Sequence, residues 1–232
     1  MSYYFISGSP PFKPTDISGL VLWLPTFAFS IAAGTITGLD QSGHHNDCSE
    51  AATSVTIQPA SGGLPPYLDY PGAGNQTILG SLSLIGPISF SLFQLRRIPA
   101  PGASSCGLFL TNATNNLSVI HDNGGGGGEL FFVQGGSFVF STGDSSVTDQ
   151  VDSVISDFSV TTARIYRNGV LTTSGAVGTS GNMSSYTIGG ADQFTGNSQA
   201  RRIYETILYN RVLTPTEQAK VEKYLKDQAG IP

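Results

Sequence analysis

Residues 162–174 read TARIYRNGVLTTS. Two arms rich in β-branched and aromatic residues flank Asn168-Gly169, a pair that takes positive φ at little cost and so matches the twist of two antiparallel strands. This is the strongest hairpin signal in the chain, and it sets the fold class. Moving outward, strand-like runs bounded by Gly, Pro, Asn and Ser recur upstream: SGLVLWLPTFAF (18–29), PYLDYP (66–71), QTILGSLSLI (76–85), ISFSLFQLR (88–96), GLFLTN (107–112), LSVIHD (117–122), ELFFVQ (129–134), SFVFST (137–142) and VDSVISDFSV (151–160). Alternation is visible in Ile88, Phe90 and Leu92 and in Phe138 and Phe140. Downstream, SSYTIGG (184–190) and ARRIYETILYN (200–210) supply the last strands.

Only the end reads as helix. Thr214-Pro215-Thr216-Glu217 gives an N-cap, a proline at the first helical position and a glutamate that closes a capping box. Val221, Tyr224, Leu225 and Gln228 then share a face, Lys220, Lys223 and Lys226 lie off it, and Gly230 stops the helix. The pattern predicts an all-β, two-sheet antiparallel sandwich over residues 17–232 with one short C-terminal helix packed outside it. Residues 1–16, aromatic and then proline-rich, predict an extended arm that either packs back on the domain or docks on a neighbour.

Composition narrows the function. Charged residues make up 12% of the 232, glycines number 29 and the net charge is −5, with no run of Lys or Arg, which excludes a nucleic-acid partner that needs a basic stripe. No stretch of about eighteen apolar residues predicts a membrane span. The amino terminus lacks the basic and apolar regions of a signal peptide, so the expectation is synthesis in the cytoplasm without secretion. Cys48 and Cys106 are then expected to be free, buried thiols.

Several blocks in order resemble the concanavalin A-like lectin/glucanase superfamily, specifically the laminin G-like domains of bacterial and phage proteins. They are GLVLWLP (19–25), LDQSGHHND (39–47), LPPYLDYPGAGNQTIL (64–79), ARIYRNGVLTTSG (163–175) and the closing block YTIGGADQFTGNSQARRIYETILYNRVLTPTEQAKVEKYL (186–225). The resemblance implies a jelly roll, a glycan as ligand class and calcium as the ion to consider.

Chemistry-bearing motifs are few. GLDQSGHHNDCSE (38–50) gathers Asp40, His44, His45, Asp47, Cys48 and Glu50, but adjacent histidines and a lone cysteine lack zinc-ligand spacing. In the resemblance Asp40, Ser42 and Gly43 match a turn motif, and Asp40 and Asp47 are the calcium candidates. Glycosidases need two carboxylates on one sugar-binding face, and the superfamily's hydrolases carry them as E-x-D-x-x-E, a string this chain lacks. Asp149 and Asp152, three apart in a strand, are expected on opposite faces. Gly124–Gly128 predicts a long hairpin tip whose shoulders, His121, Asp122, Asn123 and Glu129, form the candidate ligand-binding cluster. The expected function is non-enzymatic recognition, of a glycan or host-surface polysaccharide, by a tail or receptor-binding protein on a phage or virus particle. Residues 1–16 are expected to contact other virion proteins in a homo-oligomer. The alternatives are a structural capsid or tail decoration and a glycoside hydrolase-like enzyme.

Overall fold

The computed structural model describes residues 11–51, 55–71, 78–84, 89–97, 105–111, 116–123, 129–134, 137–141, 148–178, 182–189 and 201–232, and between 105 and 141 the side chains of Leu110 and Val139. Its strands in chain order are β1 (Leu20–Pro25), β2 (Phe29–Ala32), β3 (Thr35–Gly38), β4 (Cys48–Ala51), β5 (Thr56–Gln58), β6 (Tyr67–Tyr70), β7 (Ile78–Leu84), β8 (Phe90–Arg97), β9 (Ser105–Thr111), β10 (Asn116–Asn123), β11 (Glu129–Gln134), β12 (Ser137–Ser141), β13 (Asp149–Asp157), β14 (Thr162–Arg167), β15 (Val170–Ala176), β16 (Met183–Ile188) and β17 (Arg201–Tyr209). The helix α1 (Pro215–Ala229) follows. Pairing is antiparallel throughout these strands and builds two sheets. One runs β15-β14-β13-β8-β17-β6-β5 with β1 also on β17, and the other runs β12-β11-β10-β9-β16-β7-β4-β3-β2.

The Asn-Gly hairpin forms as its sequence dictates. Asn168 has φ 50° and Gly169 φ 84°, Arg167 pairs with Val170, and the two-residue loop joins β14 to β15. Along β14 the burial alternates, with Ala163, Ile165 and Arg167 turned to the other sheet and Arg164 and Tyr166 turned outward.

Two apolar layers result. Leu22, Leu68, Tyr70, Ile78, Leu92, Val154, Ile165, Tyr186, Ile188 and Leu208 fill the space between the sheets. Phe93, Leu95, Val151, Ile155, Ile207, Tyr209, Leu213, Val221 and Leu225 fill the space under α1. The alternation expected around Phe90 and Leu92 therefore describes only one side of β8. Helix α1 lies against β8 and β13, so Phe93 and Leu95 on the outer face are as buried as Phe90 and Leu92 on the inner one.

The helix starts and stops where its sequence signals lie. Thr214 accepts the Glu217 amide, Glu217 reaches back to the Thr214 amide at 2.9 Å, and Gly230 ends the helix in the left-handed conformation. Arg211 braces this start, donating to both Glu217 carboxylate oxygens at 2.6 and 3.0 Å. Residues 12–16 belong to the same layer: Phe12 sets its ring edge-on to Tyr224 at 5.9 Å, and the Tyr209 hydroxyl donates to the Pro14 carbonyl at 3.0 Å. Residues 1–10 of the expected arm lie outside the described residues. Among the described residues no helix is long and apolar enough to cross a membrane.

Candidate functional site

The Asp40 cluster is a tied turn. Asp40 Oδ1 accepts the amides of Trp23 and Ser42, both at 2.9 Å, and Oδ2 accepts the Ser42 hydroxyl at 2.6 Å and the Asn46 amide at 3.0 Å. Asp47 in turn accepts the Asp40 amide at 2.8 Å, and Gly43 takes φ 90°. A carboxylate whose oxygens each hold two donors has no lone pair left for a cation, so Asp40 acts as a fastener here. Among the described residues, no three His, Cys, Asp or Glu side chains gather as a metal-ligand set. Cys48 is a free, buried thiol, pushed up to about 11 by burial.

His121, Asp122 and Asn123 end β10 and Glu129 begins β11, with Asn123 opposite Glu129, so the two strands pair as a hairpin across the glycine run. Strand β10 lies against β13 and β11 against β14 of the facing sheet. The side chains of these four residues and of Cys106, and residues 124–128, lie outside the described residues.

Three buried carboxylates, Asp152, Glu205 and Glu222, carry no motif in the sequence. Asp152, fully buried, accepts from Arg96 Nε at 2.5 Å, Gln150 Nε2 at 2.8 Å and Arg167 Nε at 3.1 Å. Burial alone would raise its carboxyl, but the charges of Arg96 and Arg167 outweigh burial and hold it below the usual carboxylate range. Asp149 points to the other face, where it takes the Tyr204 hydroxyl at 2.5 Å. On the helix side, Glu205 accepts the Trp23 indole N–H at 2.5 Å, with the Tyr224 hydroxyl also in reach. Burial pushes its carboxyl up to about 7, against the pull of those donors.

A groove lined by an aromatic ring, a guanidinium, an amide and a carboxylate lies between the β14–β15 hairpin and α1. It holds about 410 Å³ and is lined by Arg164, Tyr166, Gly169, Leu213, Gln218 and Glu222, among others. Glu222 is only 6% exposed; its Oε1 accepts from Ser153 Oγ at 2.7 Å and Gln218 Nε2 at 2.9 Å. Among the described residues Oε2 takes no side-chain hydrogen bond, and it faces Gly169, where a Cβ would stand 3.0 Å from it. The Asn-Gly turn that closes the hairpin thus also keeps a way open to the carboxylate. Leu171, directly across from Tyr166, is 51% exposed and stands beside the aromatic ring on the same face. Elsewhere on the same face, the Arg202 guanidinium covers the Tyr67 ring at 4.9 Å and Tyr204 packs beside it at 5.4 Å, a closed stack.

The sequence signal for this groove is the buried stripe of α1 itself. Gln218 and Glu222 sit one turn apart within a face otherwise defined by Val221 and Leu225, and polar residues on a buried stripe need partners. Among the described residues Glu222 is the one carboxylate lining the groove, whereas glycoside hydrolysis requires a pair.

No protein-family model matches the chain, and no curated protein matches it in sequence. Solved structures do. The binding domain of Paraclostridial Mosquitocidal Protein 1 superposes with a TM-score of 0.64 at 15% identity, over 92% of this chain and 53% of that one. A structure of botulinum neurotoxin type C, a protein whose cell entry depends on interaction with two ganglioside molecules, gives 0.65 at 15% identity over 91% and 52%. Trypanosoma rangeli sialidase in complex with sialic acid gives 0.60 at 16% identity over 89% and 33%. The likeness is one of fold. The chain spans about half the length of the two toxin chains and a third of the sialidase.

Proposed function

We propose that the chain is a non-enzymatic recognition module that binds a glycan in the groove between the β14–β15 hairpin and α1. The observation that carries this reading is the groove's lining: an aromatic ring, a guanidinium, an amide and a buried carboxylate with one oxygen turned to the opening converge on about 410 Å³. An apolar face with a few placed polar groups is what a pyranose ring and its hydroxyls require. The gangliosides and the sialic acid are ligands of the toxin and the sialidase, and they support the reading by likeness of fold alone. A single lining carboxylate favours binding over hydrolysis. We read the fold as a concanavalin A-like, laminin G-like jelly roll, in keeping with the order of the sequence blocks.

The sandwich suits display on a phage or virus particle, as part of a tail or receptor-binding protein. The sparse charge and abundant glycine fit an outward-facing shell, and the aromatic, proline-rich residues 1–16 fit a contact to other virion proteins in a homo-oligomer. A decoration role without a ligand is the second reading, favoured by the anchoring of Phe12 and Pro14 on the helix layer. A glycan array probed with and without calcium separates the two. Saturable binding that Tyr166→Ala abolishes supports the groove; no binding to any glycan at high concentration leaves the decoration reading.

A further inference from the structure

We propose that Arg97 and Arg202 form a second binding site, for the carboxylate or sulfate group of an oxyanion ligand, on the outer face of the sheet that contains β8 and β17. The site shares no residue with the groove, so the inference stands apart from the reading above. Across four neighbouring strands one outward row reads Asp69 (β6), Arg202 (β17), Arg97 (β8) and Asp149 (β13), each the register partner of the next. The row lies two residues beyond Tyr67 and Leu95, which belong to the layer on that face. Like charges directly opposite one another on adjacent strands weaken a sheet. An anion held by both guanidinium groups relieves that repulsion and stabilises the folded chain by its own binding.

The two carboxylates of the row leave most of the guanidinium donors open. Asp149 takes the Tyr204 hydroxyl at 2.5 Å, and its other oxygen stands 3.7 Å from Arg97 Nη1, beyond hydrogen-bond range. Arg97 Nε is buried with no acceptor among the described residues, while the Arg97 side chain as a whole is 33% exposed. Arg202 reaches the Tyr204 hydroxyl and covers the Tyr67 ring at 4.9 Å. Asp69 is its register partner, yet among the described residues no ion pair joins the two. A guanidinium is all donor and no acceptor, and its planar fork matches the oxygens of a carboxylate or sulfate.

The other charges nearby are committed elsewhere. Arg96 faces inward and is held by Asp152 at 2.5 Å, and Arg201 faces inward over the Tyr70 ring at 5.3 Å. Glu205 is buried against Trp23 on the helix side. With Tyr67 covered by Arg202 and flanked by Tyr204 at 5.4 Å, this face offers a ligand N–H donors rather than an aromatic platform. Asp69 opposes an anion from one side of the row, which gives its removal a predictable sign.

The test is calorimetry with thermal melting on the full chain at neutral pH and low ionic strength. Inorganic sulfate probes the bare oxyanion, glucuronic acid and galactose 6-sulfate carry the group on a sugar, and galactose is the uncharged control. Sulfate is expected to raise the melting temperature above its value in sodium chloride of equal ionic strength. At least one of the three anions is expected to bind about tenfold or more tighter than galactose, and Arg97→Gln and Arg202→Gln are each expected to cancel about tenfold of that affinity. Asp69→Asn is expected to tighten the anion by about twofold or more. Tyr166→Ala, in the groove, is expected to leave it unchanged. A sugar that outbinds sulfate marks a saccharide as the source of the group, and sulfate that outbinds both sugars marks a free anion; either result upholds the site. Anions that bind no better than galactose, that ignore both arginine substitutions, or that are lost with Tyr166→Ala overturn the inference, and the first two results leave the groove reading standing. If the arginine variants do not fold, Asp69→Asn decides, and an affinity it leaves unchanged overturns the site.

Discussion

Glu205→Gln tests the helix-side core where a carboxyl is held out of water. The Glu205 carboxyl is buried between the Trp23 indole and Tyr224, and burial raises it from 4.5 to about 7. A carboxyl raised in the folded state stabilises the fold fully below its unfolded value and loses that contribution as pH climbs through the folded one. The distance from 4.5 to about 7, at roughly 1.4 kcal/mol per pH unit, corresponds to roughly 3 kcal/mol of stability forfeited between about pH 4.5 and pH 8. Glutamine cannot ionise, keeps an acceptor for the Trp23 N–H, and adds an amide donor whose burial without a partner costs about 1–3 kcal/mol.

The variant is therefore expected to be less stable than the unaltered chain at pH 5 by about 1 kcal/mol or more, and to regain roughly 3 kcal/mol relative to it by pH 8. Urea unfolding across this range measures the difference, and subtracting the two proteins cancels every other titrating group. Trp23 is the chain's one tryptophan and its indole donates to Glu205, so fluorescence reports both unfolding and the local ionisation. In the unaltered chain the native fluorescence should titrate near pH 7, and in the variant it should not. A stability difference that is the same at pH 5 and pH 8 refutes the buried, ionisation-resistant Glu205.

Asp152→Ala leaves the Arg96 and Arg167 guanidinium groups buried without the carboxylate between them, and a loss of about 3–5 kcal/mol in urea unfolding is expected. Because those arginines hold the carboxyl low, its contribution is present at neutral pH and fades as pH falls below the usual carboxylate range, which an acid titration of stability should show. Gly169→Ala forces a side chain into φ 84° and against Glu222, so thermal melting should register a loss of about 1–2 kcal/mol together with weakened sugar binding. Thr214→Ala removes the cap on α1 and should cost about 1 kcal/mol, visible as faster amide exchange in its first turn.

Features set by neighbours along the chain are legible in the sequence. The Asn168-Gly169 turn, the Thr214–Glu217 capping box and the Asp40–Ser42 turn depend on residues within a few positions of one another, and local stereochemistry decides them. Features set by distant pairs are not. Asp152 meets Arg96 across 56 positions and Arg167 across 15, and no periodicity announces which of several polar strand residues will face inward together. The double-sided burial of β8 likewise depends on where α1 lands, which the strand's own sequence does not encode.

The groove belongs to both kinds, which is why no motif discloses it. Each of its parts has a local reason: Gly169 is there for the turn, Tyr166 for outward alternation on β14, and Gln218 and Glu222 sit one helical turn apart on α1. What makes them a site is the packing of α1 across the hairpin, which brings Oε2 of Glu222 under the turn residue that lacks a side chain. A carboxylate on a buried stripe must find donors, and Ser153 and Gln218 satisfy only one of its oxygens. The other oxygen is therefore directed by the fold toward the opening that the turn glycine provides. The same glycine signals the hairpin in the sequence and leaves the carboxylate accessible in the folded chain, so a substitution there is expected to disturb both fold and binding.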